Sequence, residues 1–308
     1  MPLITMVAPM NNSPLALPVC YLNGEFVPAQ EARISPFDRG FIFGDGVYEV
    51  IPVYSGKPLR MREHLLRLQR SMEFLELANP HAIDQWQELI AQLVARNGGG
   101  NVGIYIQVTR GVAKRDFSPP KGVTPTVFMM ANTLSSPSRE TYEKGISCVS
   151  LDDFRWERCQ VKSTSLLGAV LLKHEANQQQ ADDCVLFRNG FLTESSSSNV
   201  CAVKNGVILC PPKDNLILAG ITYDLMIELA TKAGFPVEMR RVSRKEVNTA
   251  DELWITSSTK EVIAITRLDG KPVGHGDHAS RPGPLFWKMF ELFQEYKRKL
   301  PALAAAAE

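Results

Sequence analysis

The sequence predicts an α/β protein of the α+β type, divided into two domains. Its 308 residues are more than one typical core accommodates. Runs of β type alternate with two-residue turn signals, and only a few segments carry helical periodicity. The stretch TLSSPSRETYEKG (133–145) is rich in turn residues and charge, as a boundary would be. These features place a small N-terminal α/β domain at 19–135, a linker at 136–144 and a larger C-terminal domain at 145–300. Residues 1–18 are broken by prolines, lack the basic start of a signal peptide and read as a flexible leader. The last eight, PALAAAAE (301–308), read as a tail expected to fray.

In order along the chain, YLNGEFVP and VYEVIPVYSGKPLRM predict strands turning at Asn23-Gly24 and Ser55-Gly56. Met61, Leu65, Leu68, Met72 and Leu75 form one stripe and predict a helix near 61–77. A second helix near 84–95 stops at Asn97-Gly98-Gly99-Gly100. VGIYIQVTR and PTVFMMAN then close the first domain as strands. The second half opens with the strand GISCVSL, followed by a helix near 164–177 that is apolar almost all round and therefore expected in the interior. A meander turns at Asn189-Gly190 and Asn205-Gly206. Beyond it come a helix near 221–233, strands VEMRRV and ELWIT, a hairpin about Asp269-Gly270 and a C-terminal helix.

Bulk properties argue against several function classes. A formal net charge of +1 gives no broad field for nucleic acid. No apolar run reaches the length of a membrane span. The six cysteines have no two-residue spacing and several sit in apolar runs, which predicts a reduced, cytoplasmic protein. The triple glycine lacks the Lys-Ser/Thr that completes a phosphate loop. His275 and His278 with Asp277 occupy a Gly-rich hairpin without a third ligand nearby, so no metal is expected.

Three segments put polar residues where the surrounding pattern is apolar. Lys162, in Gln160-Val161-Lys162-Ser163, precedes the most apolar helix. A helix start and burial would both lower the pKa of its amine, as imine chemistry requires. Spacing alone leaves open a surface lysine whose ammonium reaches water. The run Thr193-Glu194-Ser195-Ser196-Ser197-Ser198-Asn199 lies inside a tight meander, where a flexible linker does not fit. A polar turn facing a charged ligand and an exposed loop tip both remain open there. Gly220-Ile221-Thr222 opens a helix and Thr256-Ser257-Ser258-Thr259 ends a strand. Both suit a phosphate, or are a simple cap and a polar turn.

Together these segments resemble a known family. DRGFIFGDGVYEV (38–50), EHLLRL (63–68), QVTRGVAKR (107–115), RCQVKSTSLLGAVLLKHEA (158–176), LTESSSSNV (192–200), LAGIT (218–222) and DELWITSST (251–259) are similar to fold-type IV, or class IV, pyridoxal-phosphate aminotransferases, and among these to the D-amino acid aminotransferases. The resemblance runs from about Tyr21 to Tyr296. It implies a C-terminal domain built on a β-barrel-like sheet and pyridoxal 5′-phosphate as cofactor. Lys162 would carry the cofactor as a Schiff base and move the proton between the substrate α-carbon and cofactor C4′. Glu194 would pair with the pyridine nitrogen. Arg67 would bind the phosphate, although periodicity alone puts it on the solvated flank of its helix. The amides of Ile221 and Thr222, with Ser257 and Ser258, would complete a phosphate cup.

The resemblance further implies that Tyr48 and Val50 face the substrate and that Arg115 reaches its carboxylate from a partner subunit, in a homodimer with shared active sites. Phe117 stands where these enzymes often have a histidine, so altered carboxylate recognition is expected. The implied reaction is ping-pong transamination between a D-amino acid of the alanine or glutamate type and a 2-oxo acid. An L-branched-chain aminotransferase, an (R)-amine transaminase, aminodeoxychorismate lyase and a non-catalytic cofactor-binding protein are the alternatives the same features allow.

Overall fold

The computed structural model describes residues 16–303. The leader expected at 1–18 and the tail expected at 301–308 therefore fall mostly outside the described residues. Where the tail is described it is anchored: the Leu303 amide donates to the Gly56 carbonyl at 3.0 Å.

The first sheet has six antiparallel strands in the order β2-β1-β6-β5-β3-β4. They are β1 (Val19–Leu22), β2 (Glu25–Pro28), β3 (Gly46–Tyr54), β4 (Lys57–Pro58), β5 (Val102–Thr109) and β6 (Thr126–Thr133). A short helix, α1 (Arg39–Phe43), precedes β3, and the long helices α2 (Met61–Phe74) and α3 (Ile83–Arg96) cover one face. The core between them includes Val47, Ile51, Leu65, Leu68, Met72, Trp86 and Ile90.

The second sheet is mixed, with nine strands that curl into a half-barrel. Its strands are β7 (Ile146–Asp152), β8 (Asp183–Arg188), β9 (Phe191–Leu192), β10 (Asn199–Lys204), β11 (Val207–Cys210), β12 (Val237–Met239), β13 (Glu252–Ser257), β14 (Glu261–Leu268) and β15 (Lys271–Pro272). The order is β12-β11-β10-β13-β14-β7-β8-β9, with β15 paired to β14. The linker is not bare: α4 (Arg139–Lys144) forms in it and buries Tyr142, whose hydroxyl donates to Glu261 at 3.0 Å. The remaining helices are α5 (Leu167–Gln178), α6 (Ile221–Lys232), α7 (Arg244–Asn248) and α8 (Pro284–Arg298). Helices α6 and α8 pack together over the middle of this sheet, burying Leu225, Met226, Phe286, Met289 and Phe293.

All five expected two-residue hairpins form. Each turn has both residues at positive φ, as the twist-matched turn requires, for example Asn189 at 51° and Gly190 at 79°. Glycines 98–100 follow the end of α3, all at positive φ. The strand expected at VEMRRV is shorter, covering Val237–Met239 only.

One expectation is overturned. Helix α5 is not interior. It buries only Leu172 and Ala176, against Val149, Leu151, Cys184 and Leu186 of β7 and β8. Leu166, Leu167, Val170 and Leu171 are exposed in this single chain, Leu167 at 70%. An all-round apolar helix needs cover on two sides, and the sheet supplies only one.

The DRGFIFGDG segment is scaffolding. Asp38 caps α1 through the Gly40 amide (2.7 Å) and accepts from Thr109 (2.7 Å) and Thr126 (2.6 Å). Asp45 accepts from Arg39 (2.7 Å) and from Arg110 at Nε (2.8 Å) and Nη2 (3.1 Å). Burial would raise the Asp45 pKa, but the hydrogen bonds from Arg110 and Arg39 outweigh it and hold the carboxyl below its ordinary value. This cluster pins the base of the loop that carries Arg115. Asp45→Ala is expected to cost about 2 kcal/mol, less than a fully buried pair because Asp45 keeps some contact with water. A carboxyl with a lowered native pKa contributes above its unfolded pKa and loses that contribution as pH falls through the native one. The gap between parent and Asp45→Ala in thermal unfolding should therefore be full at neutral pH and shrink below about pH 4. A pH-independent gap would contradict the ion-pair account.

Candidate active site

A cleft of about 1360 Å³ opens where the two sheets meet. Its walls include Tyr48, Arg67, Lys162, Glu194, Ile221, Thr222, Ser257 and Ser258, so eight of the ten site residues expected from the sequence converge on one cavity. Val50 and Arg115 do not line it. Val50 lies two residues along β3 from Tyr48. Arg115 is exposed on the loop after β5, its guanidinium carbon 5.5 Å from the Phe43 ring centre and 5.9 Å from that of Phe117.

Lys162 is half-buried in an extended segment, five residues before α5 begins. The expected effect of a helix start on its amine therefore has no helix terminus to act through. Position comes instead from pairing with β3. The Tyr48 amide donates to the Lys162 carbonyl (2.9 Å), the Thr164 amide to the Gly46 carbonyl (3.0 Å), and Val47 bridges Ser163. The Lys162 Nζ then sits 4.2 Å from the centre of the Tyr48 ring. Tyr48 in turn stacks on Tyr105 at 5.6 Å.

Glu194 is buried just after β9, held by the turn to β10. One carboxylate oxygen accepts from the Leu218 amide (3.1 Å) and Asn199 Nδ2 (3.3 Å); the other accepts from Arg155. Burial lifts the Glu194 pKa above its ordinary value even against Arg155. The serine run is neither linker nor loop tip: Ser195, Ser196 and Ser198 are buried, with the Ser195 amide on the Ser198 carbonyl at 2.7 Å. Ser196 donates to buried Asp183 (2.7 Å), which also takes Lys260 (2.7 Å).

Helix α6 presents its N-terminus to the cleft, with Gly220 as a cap that supplies no side-chain hydrogen bond. Its first-turn amides are therefore free to bind an anion. A side chain at position 220 would collide with Asn199, since a Cβ there would lie 2.1 Å from Asn199 Oδ1. Asn199 Nδ2 also donates to the Leu218 carbonyl at 2.7 Å, fixing this approach.

Arg67 is buried rather than solvated. Its Nε and Nη2 donate to Glu49 at 2.6 and 2.9 Å, and Nη1 to the Ala219 carbonyl at 2.9 Å. His64 Nδ1 lies 2.8 Å from Glu49. Glu49, His64, Arg155 and Asn199 were missed by sequence reasoning. Glu49 had a signal: it shares a strand face with Val47, Ile51 and Val53, where a carboxylate needs an interior partner. Arg155 lies in an aperiodic segment and had none.

The residues present fit a phosphorylated pyridine cofactor. The hydroxyls of Ser198, Thr222 and Thr256 are buried in the cleft wall without a hydrogen-bond partner among the described residues. Buried hydroxyls are normally satisfied, and a phosphate offers the acceptors they need. A helix N-terminus and Arg67 add further donors, and the Glu194 carboxylate suits a protonated ring nitrogen.

Fold and cleft together are those of a fold-type IV enzyme, with Lys162 in the wall of a cleft that opens where two sheets meet. The description "Amino-transferase class IV" matches residues 46–268, and the chain belongs to this family. It is 37% identical over 280 residues to a D-alanine aminotransferase of Listeria monocytogenes, covering 89% of this chain and 94% of that protein. It is 39% identical over 257 residues to one of Staphylococcus epidermidis, covering 83% and 91%. Among solved structures, a branched-chain amino acid aminotransferase of T.th. with pyridoxamine 5′-phosphate superposes with a TM-score of 0.86 at 26% identity, covering 93% of this chain and 98% of that one. A fold IV-transaminase from Curtobacterium pusillum gives a TM-score of 0.74 at 29% identity, covering 87% and 93%.

Arg155→Ala removes the guanidinium shared by Glu194 and Asp153, the latter contacted at 2.8 Å. Breaking such a pair is expected to cost about 3 kcal/mol at neutral pH. Glu194 already has a raised native pKa, and losing Arg155 raises it further. Charge on this carboxyl then opposes folding at high pH, and the variant should approach the parent below about pH 5 in urea unfolding. A deficit that widens on acidification would show that Arg155 does not compensate these carboxylates.

Proposed function

We propose that this class IV aminotransferase uses pyridoxal 5′-phosphate to move an amino group between a D-amino acid of the alanine or glutamate type and a 2-oxo acid. The observation that carries the proposal is the convergence of Lys162, Glu194 and Arg67 on one cleft with three unpartnered hydroxyls. The substrate reading is supported by the D-alanine aminotransferases to which the chain is 37–39% identical. Bound there, the cofactor supplies an aldehyde that takes up nitrogen and a ring that accepts electrons.

The protein's own residues have separate tasks. Lys162 would anchor the cofactor through its amine, and that amine is the group placed to move the proton to and from the substrate α-carbon. Its Nζ is held above the Tyr48 ring, so the amine stays at one side of the cleft. Glu194 keeps a proton on the ring nitrogen. Arg67, the amides of Ile221 and Thr222, Ser257 and Ser258 hold the phosphate. Tyr48 borders the substrate; Val50, expected beside it, does not line this cleft. The two half-reactions alternate at one site: an amino acid leaves as its 2-oxo acid, and a second 2-oxo acid leaves as its amino acid.

A homodimer with shared active sites goes with this reading. Leu167, Val170 and Leu171 form an exposed stripe at helical spacing on α5, beside the cleft mouth. Arg115, which does not line its own cleft, would serve the partner's. Phe117, 81% exposed, gives the second reading specific support: an apolar ring where a carboxylate donor is expected favours (R)-amines or apolar substrates. Among the described residues no helix is long and apolar enough to cross a membrane. Six free, buried cysteines suit the reducing cytoplasm.

Borohydride reduction of the holoenzyme followed by peptide mapping is expected to label Lys162. Lys162→Ala should lose at least about 10²–10⁴-fold in turnover, the usual contribution of a positioned acid–base group. Label on another lysine, or activity in the cofactor-loaded variant, would remove Lys162 from its role. Assays with both enantiomers of alanine, glutamate and leucine and one chiral aryl amine should show preference for D-alanine or D-glutamate. Preference for L-leucine or the amine would replace the substrate assignment.

Leu171→Glu puts a charge into the exposed stripe. It is expected to lower the molar mass measured by light scattering from dimer to monomer and to reduce turnover. A dimer of unchanged stability would place the interface elsewhere.

A further inference from the structure

We propose that Glu49 is a positioning residue for cofactor binding: it selects the edge of the Arg67 guanidinium that faces the phosphate cup. The inference rests on the reading of Arg67 as a phosphate ligand.

Glu49 occupies a strand position whose neighbours on the same face, Val47 and Ile51, are fully buried, and it is fully buried itself. An ionised carboxylate there has to be met by donors at every oxygen. Arg67 meets it side-on, through Nε to one oxygen (2.6 Å) and Nη2 to the other (2.9 Å). His64 Nδ1 adds a contact to the second oxygen at 2.8 Å. Burial pushes the His64 ring towards its neutral form, so His64 adds a hydrogen bond without adding a cation that would compete with Arg67 for the carboxylate.

A guanidinium has five N–H groups in a rigid plane. Glu49 takes two, along the edge between Nε and Nη2. The Ala219 carbonyl takes one from Nη1. One N–H remains on each terminal nitrogen. Arg67 borders the cleft beside Gly220 and Thr222, and a terminal pair of N–H groups is the fork that matches two phosphate oxygens. Ala219 directly precedes Gly220, so the same guanidinium also holds the loop that delivers the α6 N-terminus.

Glu49 neutralises the charge of Arg67, so the grip on a phosphate depends on the direction of the fork more than on net charge. Without Glu49 the guanidinium keeps its charge but can rotate about its side-chain bonds, and binding should lose the phosphate-specific share of its strength.

The test uses full-length holoenzyme, stripped by dialysis and rebound with either pyridoxal 5′-phosphate or pyridoxal, with dissociation constants read from cofactor absorbance. Glu49→Gln is expected to weaken pyridoxal 5′-phosphate by about tenfold, the value of one charge-assisted contact, with pyridoxal unchanged. Glu49→Asp retains the charge but draws the carboxylate back by one methylene; it should fold even if the glutamine variant does not and show the same phosphate-selective loss. Arg67→Gln is the control. If it loses phosphate selectivity while both Glu49 variants match the parent, or weaken both ligands equally, the positioning role is overturned and the phosphate role of Arg67 stands. If Arg67→Gln loses no selectivity, the underlying reading falls, and this inference with it.

Discussion

Between the two sheets runs a short antiparallel pairing of β3 with residues 162–164, and the geometry of the cleft depends on its register. The Tyr48 amide meets the Lys162 carbonyl, the Thr164 amide meets the Gly46 carbonyl, and the Thr164 hydroxyl reaches the carbonyls of Gly44 and Gly46. Because side chains alternate along a strand, this register sends Tyr48 to the cleft and Glu49 to the core behind it. A slip of one residue would exchange them, burying a tyrosine and turning the carboxylate away from Arg67. On the other edge of β3, Gly46 admits β5: a Cβ there would lie 2.8 Å from the Val108 carbonyl oxygen.

Around this seam, carboxylates are met by arginines at three places, with different outcomes. Asp45 is held low by two guanidinium groups and locks the base of the Arg115 loop. Glu49 is also held low: burial opposes its charge, but Arg67 and His64 together prevail. Glu194 goes the other way, because burial outweighs its single guanidinium. A carboxylate in that balance gains more from a further cationic N–H than one already saturated. This is the physical support for assigning the ring nitrogen to Glu194 and not to Glu49, although both are buried glutamates near the cleft.

How much of this was legible in the sequence follows from the range of the interactions. The five hairpins were readable because each depends on two adjacent residues and their φ angles. Helices α2 and α3 were readable because their apolar stripes repeat within one element. The environment of Arg67 was not, since its helix pattern says only that position 67 is off the stripe. What buries it is Glu49, 18 residues away, and the Ala219 carbonyl, 152 away. The same holds for Arg155 and Glu194, 39 residues apart. For Arg67 and Glu194 the family resemblance suggested roles that periodicity could not, but it did not point to Arg155. It supplied nothing for Glu49, which could have been found by asking why a carboxylate stands on an otherwise apolar strand face. The sequence pattern starts α5 too early, near 164 instead of Leu167, because the backbone of residues 162–164 is committed to β3.

The outward face of α5 bears on how much of the active site one chain can contain. Leu167 and Val170 are among the most exposed apolar residues, yet they border the same cleft as Lys162. Phe41, at 76% exposure, borders the cleft as well. An apolar rim open to water would weaken the electrostatic contacts on which the proposed proton transfer at Lys162 would rely, since those contacts are strong only where water is excluded. Covering the rim with a second copy would bury this surface and bring a foreign Arg115 towards each cleft. In the proposed dimer the Asp45 cluster would then bear on catalysis, because a cation offered across an interface must be held by its own subunit before it can be presented to another. On this view dimerisation, loop rigidity and water exclusion are one requirement met by residues far apart in the chain.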